Sequence, residues 1–157
     1  MDYHVLDGKV DLDAFKYPNR GIGVIVHIYD EFGNILLQQR GKKSRDENGL
    51  YEDVGGRYED SDTNYKAAII REMQEEMGSN IKIDLSDEVG IYHCYKNNIN
   101  WVFIIFLGKY VSGEPKIMEP TKCMGYKFFP FDEAISSNSV SESCKFLTKE
   151  IRRMHNC

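Results

Sequence analysis

The stretch from residue 55 to 78, GGRYEDSDTNYKAAIIREMQEEMG, constrains this chain more than any other part of it. Gly55-Gly56 permits a tight turn and close backbone approach. The acid-rich turn Glu59-Asp60-Ser61-Asp62-Thr63 follows, and the spacing of apolar residues then becomes helical. Asp62 or Thr63 is expected to cap the helix by accepting from the unpaired amides of its first turn. Ile69, Met73 and Met77, with Ile70 widening the row, predict a core stripe, and Gly78 supplies a stop. Because a helix advances about 100° per residue, Glu72, Glu75 and Glu76 share one face. Like charges so placed repel by about 0.2–0.5 kcal/mol per pair. A divalent cation removes that penalty, since Mg²⁺ or Mn²⁺ takes carboxylate oxygens together with waters and phosphate oxygens. A carbonyl of the Gly-Gly turn can face the same ion. Taken singly, an ExxEE face is usually solvated and Arg71 beside it an ordinary ion pair. It is the combination of Gly-Gly, acidic loop, acid-faced helix and terminal Gly that sets the segment apart.

The rest of the chain reads as strands around that helix. Gly21–Tyr29 is rich in β-branched residues and predicts a buried strand. Asp30–Asn34 supplies turn chemistry, and Ile35–Arg40 returns as a second strand, giving a hairpin. Residues 41–49 form a polar loop carrying Lys42, Lys43 and Arg45, and Leu50–Val54 leads into the glycines. Further strands are predicted around Ile81–Ile83, at Val89–Lys96 and at Asn100–Val111, with Asn97-Asn98 as a turn, and a short one at Tyr126–Phe129. Leu147, Ile151 and Met154 recur at helical spacing and predict a C-terminal helix over residues 141–155. Residues 1–19 give weak signals and are read as an N-terminal extension. The order predicts an α/β fold, a mixed sheet with helices packed on it, in one domain over residues 1–157.

Composition narrows the classes. With 41% hydrophobic and 12% aromatic residues the chain is too core-rich for disorder. Twenty basic against twenty-five acidic side chains give net −5, which disfavours a dedicated nucleic-acid binder. Cys94, Cys123, Cys144 and Cys157 show no zinc-knuckle spacing and are too few for a disulfide scaffold. The start lacks the pattern of a secretory signal, and the longest apolar run, Trp101–Leu107, has the length of a strand. These features predict a reduced, cytoplasmic protein with no membrane partner.

The 55–78 segment resembles the Nudix (MutT-like) hydrolase box, GX5EX7REUXEEXGU. Gly56 falls on the opening glycine, and Arg71-Glu72-Met73-Gln74-Glu75-Glu76-Met77-Gly78 matches the second half without a break. Asp62 stands at the first Glu position, with eight residues instead of seven before Arg71, and Val54 stands where a proline often precedes the glycines. Ile35–Arg40 and Glu119–Tyr126 are similar to the family's strand before the basic loop and its late acidic loop. The resemblance implies an α/β/α sandwich with the catalytic helix after the Gly-Gly loop. It further implies Mg²⁺-dependent hydrolysis, with Mn²⁺ a possible substitute, of a nucleoside diphosphate linked to another moiety. Glu72 and Glu76 would be the principal metal ligands, with Glu75 and the Gly55 carbonyl completing the set. Arg71 would buttress the helix by pairing with Glu72 or the loop. The general base would be Glu119, which could instead be an extra metal ligand, or else Glu75.

Arg40 is a candidate for a substrate phosphate, which a guanidinium matches well, and equally a solvated strand end. Trp101 and Tyr92 could stack on a base, although strand aromatics are more often core. His27, in an apolar strand, is expected to be structural. Lys145, Lys149, Arg152 and Arg153 read as the solvated face of the last helix rather than an RNA contact. Nucleoside triphosphates, nucleotide sugars, dinucleoside polyphosphates and capped RNA all stay open as substrates, a small nucleotide being favoured by the short acidic chain. Two other readings are a non-catalytic nucleotide-binding module of the same fold, and an isomerase of a diphosphate, which would need an activated Cys or a different acid near the cleft. Cys94 and Cys123 are available, but nothing in their sequence context activates them. The sequence is silent on oligomeric state.

Overall fold

A computed structural model describes residues 4–7, 20–41 and 49–155; the basic residues Lys42, Lys43 and Arg45 lie outside these. The chain runs β1 (His4–Asp7), β2 (Arg20–Tyr29), β3 (Asn34–Arg40), β4 (Tyr51–Glu52), β5 (Val54–Arg57), α1 (Tyr65–Met77), β6 (Ile81–Lys96), β7 (Ile99–Gly113), β8 (Cys123–Pro130), α2 (Phe131–Ala134) and α3 (Glu142–His155). All the strands join one sheet in the order β1-β6-β7-β2-β3-β4, with β5 paired to β2 and β8 to β3. The β2–β7 pairing is parallel and the others are antiparallel, so the sheet is mixed.

The period of two along the central strands sorts the core into two layers. Val24, Val26 and Ile28 of β2 and Val102, Ile104 and Phe106 of β7 pack with Ala68, Ile69 and Met77 of α1. Their alternates Ile25, Trp101, Phe103, Ile105 and Leu107 pack with Leu147 and Ile151 of α3. The two helices therefore cover opposite faces, as an α/β/α sandwich requires.

Several sequence expectations need correcting. The β2–β3 hairpin pairs only Ile28 with Leu36 and Tyr29 with Ile35, because β3 then diverges toward β8. The freed edge of β2 is taken by β5, through Gly23↔Arg57, Val24↔Gly56, Ile25↔Gly55 and Val26↔Val54. That split places the Gly-Gly pair in the centre of the sheet. The segments around Ile81–Ile83 and Val89–Lys96 are one strand, whose alternation is broken by irregularities at Lys82/Ile83, Leu85/Glu88 and Glu88/Gly90. Within the N-terminal extension, residues 4–7 pair with β6. Ile70 is 43% exposed, and Ala68 takes its place on the buried stripe. The predicted turns are present: Asn97 and Asn98 adopt φ of 54° and 62°, and Gly78 ends α1 at φ 77°.

Candidate active site

The site is built on the contact between α1 and β5. Gly56 faces α1, and a Cβ there would run into the Glu72 carboxyl group, so the seat of that carboxyl against β5 depends on glycine. Glu72 is only 8% exposed. Burial pushes its carboxyl above the usual range, against the opposing pull of Arg71. One turn on, burial drives the Glu76 carboxyl up to about 8; the negative charges of Glu72 and Glu119 add to this, while Arg40 and the donated Gly55 N–H oppose it. Those four neighbours place the end of β3, the Gly-Gly strand and the 114–122 segment around a single carboxylate. Its Oε2 is buried with no hydrogen bond.

Arg71 fixes this helix to the loop. Its Nε and Nη2 donate to the two oxygens of Asp62 at 2.8 and 2.9 Å, a bidentate fork, and Nη2 also reaches the Arg57 carbonyl at 3.0 Å. Nη1 donates to Glu72 at 2.9 Å and to Glu75 at 3.2 Å. The Asp62 bond raises the Arg71 pKa further, and the guanidinium in turn holds Asp62 below the usual carboxylate range. Asp62 is thus engaged by Arg71 despite the extra residue in the spacing. It does not cap α1, nor does Thr63: Asn64 does, accepting from the Ala67 amide at 2.7 Å.

Of the residues singled out in the sequence, Glu72, Glu76, Gly55, Arg40 and Glu119 are brought together. Glu75 stands at the outer edge, with its side chain 51% exposed. Trp101 is on the opposite face, stacked 5.6 Å from Phe103 and covered by the Arg57 guanidinium at 5.3 Å. Tyr92 is buried between Phe103 and Phe146. Cys94 and Cys123 are buried. On α3, Lys145 pairs with Glu142 and Arg153 with Glu150, while Arg152 covers Phe131.

Two site residues, Lys122 and Tyr126, lie in the Glu119–Tyr126 segment without being singled out by type. Lys122 pairs with Glu119 at 3.1 Å, and its charge is felt by Glu76 and Glu72. The turn that makes this pair is closed by Lys122 N–H to the Glu119 carbonyl at 2.9 Å and docked through Gly41 N–H to the Lys122 carbonyl at 2.7 Å. Tyr126 donates its hydroxyl to the Glu76 carbonyl, fastening β8 to the end of α1. Only the i, i+3 spacing around Pro120 hints at the first; the second joins residues fifty apart in the chain.

Among the described residues no three acidic, imidazole or thiol groups already converge as a metal cage. The donor set nonetheless suits a hard divalent cation, because all its donors are oxygens and one is buried and unpartnered. No helix among the described residues is long and apolar enough to cross a membrane.

An acid-faced helix thus lies against a Gly-Gly strand within a mixed sheet. The NUDIX domain model matches residues 19–148, and the chain belongs to the Nudix hydrolase family, whose members generally use divalent metals. Among solved structures, a MutT protein from Methanosarcina mazei Go1 is similar at 22% identity and a TM-score of 0.72, over 88% of this chain and 96% of that one. A MutT NUDIX hydrolase from Burkholderia pseudomallei gives 23% identity and 0.69, over 85% and 99%. The NUDIX domain of Shewanella oneidensis NrtR, complexed with ADP ribose, gives 15% and 0.66, over 92% and 93%. These likenesses show the fold. No curated protein matches the sequence.

Proposed function

We propose that the chain is a Mg²⁺-dependent pyrophosphohydrolase of a nucleoside diphosphate joined to another moiety, such as a nucleoside triphosphate, a nucleotide sugar or a dinucleoside polyphosphate. The observation that carries this reading is the buried, unpartnered Oε2 of Glu76 among Glu72, Glu119 and the Gly55 amide. Glu72 and Glu76 would hold the cation, with Glu75 and the Gly55 carbonyl completing the set. A divalent cation there supplies charge neutralisation of the pyrophosphate and acidification of the attacking water. Arg71, anchored by its fork on Asp62, keeps the buried Glu72 carboxylate in one orientation. Glu119, 41% exposed on its hydrogen-bonded turn, takes the proton from the water, with Glu75 as the second candidate. Arg40 is assigned a substrate phosphate, and Trp101 with Arg57 offers an aromatic and cationic surface for a base on the sheet's other face. The Shewanella domain's ligand, ADP ribose, is a diphosphate of this class.

The test is a hydrolysis screen with Mg²⁺ and Mn²⁺ over the three substrate classes and capped RNA, with Glu76→Gln alongside. Metal-dependent turnover absent from the variant supports the reading and names the substrate class. Nucleotide binding by folded protein without turnover on any substrate would replace it with the binding module.

A further inference from the structure

A second group of polar side chains is buried on the α3 face, away from the carboxylates. Asp53, in the link between β4 and β5, is 4% exposed, and its Oδ1 lies 3.2 Å from Nδ1 of the fully buried His27 on β2. Its Oδ2 accepts from the Cys144 thiol of α3 at 3.4 Å, and that sulfur touches the Thr148 hydroxyl at 3.9 Å. Burial, with the charges of Asp53 and Glu52 adding, pushes the Cys144 thiol well up, so it stays S–H and donates. The other ring nitrogen of His27, Nε2, is buried and without a hydrogen bond. Two residues earlier, Tyr51 exchanges backbone hydrogen bonds with the entry to α3, its N–H to Ser139 at 2.8 Å and its carbonyl from Ser141 at 3.1 Å.

Residues 51 and 53 are therefore tied to α3, while their alternates point to the other side. Val54 enters the α1 layer, and Glu52 approaches Arg40 at 3.9 Å. The next two residues are the Gly-Gly pair. A buried carboxylate is a poor device for stability, since an apolar side chain of the same size does as well without desolvating a charge. It is a good device for geometry, because hydrogen bonds to two different elements fix the chain in direction as well as position.

Resting on the cleft reading above, we propose that Asp53 is a positioning residue: through His27 and Cys144 it holds the start of β5 so that Gly55 meets Glu76 at the distance a cation site needs. Supporting groups of this kind are worth about 10- to 100-fold in metal affinity.

The test compares Asp53→Ala with Ile151→Val, which thins the α3 contact without touching the tether. Amide exchange of Gly55 in the metal-free protein and Mn²⁺ binding followed by its electron paramagnetic resonance are read beside the thermal midpoint. Asp53→Ala should speed Gly55 exchange about tenfold, weaken Mn²⁺ binding by about the same factor, and lower kcat with little change in KM. Ile151→Val should lower the midpoint and leave the other readings alone. Should Asp53→Ala fail to fold, His27→Gln and Cys144→Ala each remove one arm and should speed Gly55 exchange. Gly55 exchange and Mn²⁺ binding within twofold of wild type, beside a lowered midpoint, would overturn the proposal. Absence of Mn²⁺ binding in the wild type would remove the cation reading, and Gly55 exchange would still decide the tether.

Discussion

Glu76→Gln should abolish turnover and, at alkaline pH without metal, make the protein more stable. Burial raises the Glu76 carboxyl from 4.5 to about 8 in the folded chain. Below the lower value both folded and unfolded states carry the proton. Between the two values the unfolded state gives it up and the folded state keeps it, so stability falls as pH rises and levels off above 8. Every tenfold gain in proton affinity corresponds to about 1.4 kcal/mol, which sets an upper limit of about 5 kcal/mol for a carboxyl raised this far. Water reaching the ionised carboxylate returns part of this, leaving roughly 2–3 kcal/mol. Glutamine has the same shape and no charge to desolvate, so it removes the penalty. For a chain of this length about 1 kcal/mol moves the midpoint by roughly 2–4 °C. Thermal unfolding with chelator should therefore give the variant a midpoint about 5–10 °C above wild type at pH 9, and equal midpoints near pH 4.5. Adding Mg²⁺ at pH 9 should reverse the order, because only the wild type gains binding energy in the folded state. A variant no more stable than wild type at pH 9, or a wild-type midpoint flat from pH 5 to 9, would refute this account of Glu76.

Gly56→Ala should lose at least about 100-fold in kcat, because the added methyl displaces the Glu72 carboxyl group; circular dichroism should still show the fold. Glu119→Gln should lower kcat by about 10²- to 10⁴-fold with KM nearly unchanged, as loss of a base does; a rate within twofold of wild type would remove Glu119 from the chemistry. Arg71→Lys should weaken metal binding although the charge is kept, since an ammonium cannot make the fork to Asp62. Asn64→Ala should cost about 1 kcal/mol in denaturant unfolding and leave kcat in place, as removal of a helix cap far from the acids predicts.

Legible in the sequence is whatever a period or a turn residue announces. The shared face of Glu72, Glu75 and Glu76 follows from helical geometry alone. Gly78 and Asn97-Asn98 declare their turns because few other residues adopt positive φ cheaply. The capping residue is misread because Asp62, a good cap by type, is drawn away by Arg71 nine positions on, leaving Asn64 to serve. The strand from 81 to 96 looks like two because its irregularities break the alternation by which strands are recognised. Glu76's environment is illegible for a different reason. Its neighbours Arg40, Gly55 and Glu119 come from three separate segments, joined only when β3 splits from β2 and β5 takes the vacated edge. Asp53 and Lys122 are ordinary surface types by composition, and only tertiary pairing gives them a place.

The most direct test of the central claim, that Glu76 is a half-buried acid whose buried Oε2 is kept for a cation, is the proton count on metal binding. Titrating the metal-free protein with Mg²⁺ by calorimetry at pH 7, in two buffers of different ionisation enthalpy, should show release of about 0.9 proton per ion, as a pKa of about 8 requires, and almost none at pH 9.5. Binding with no proton released at pH 7, or equal binding by Glu76→Gln, would contradict it.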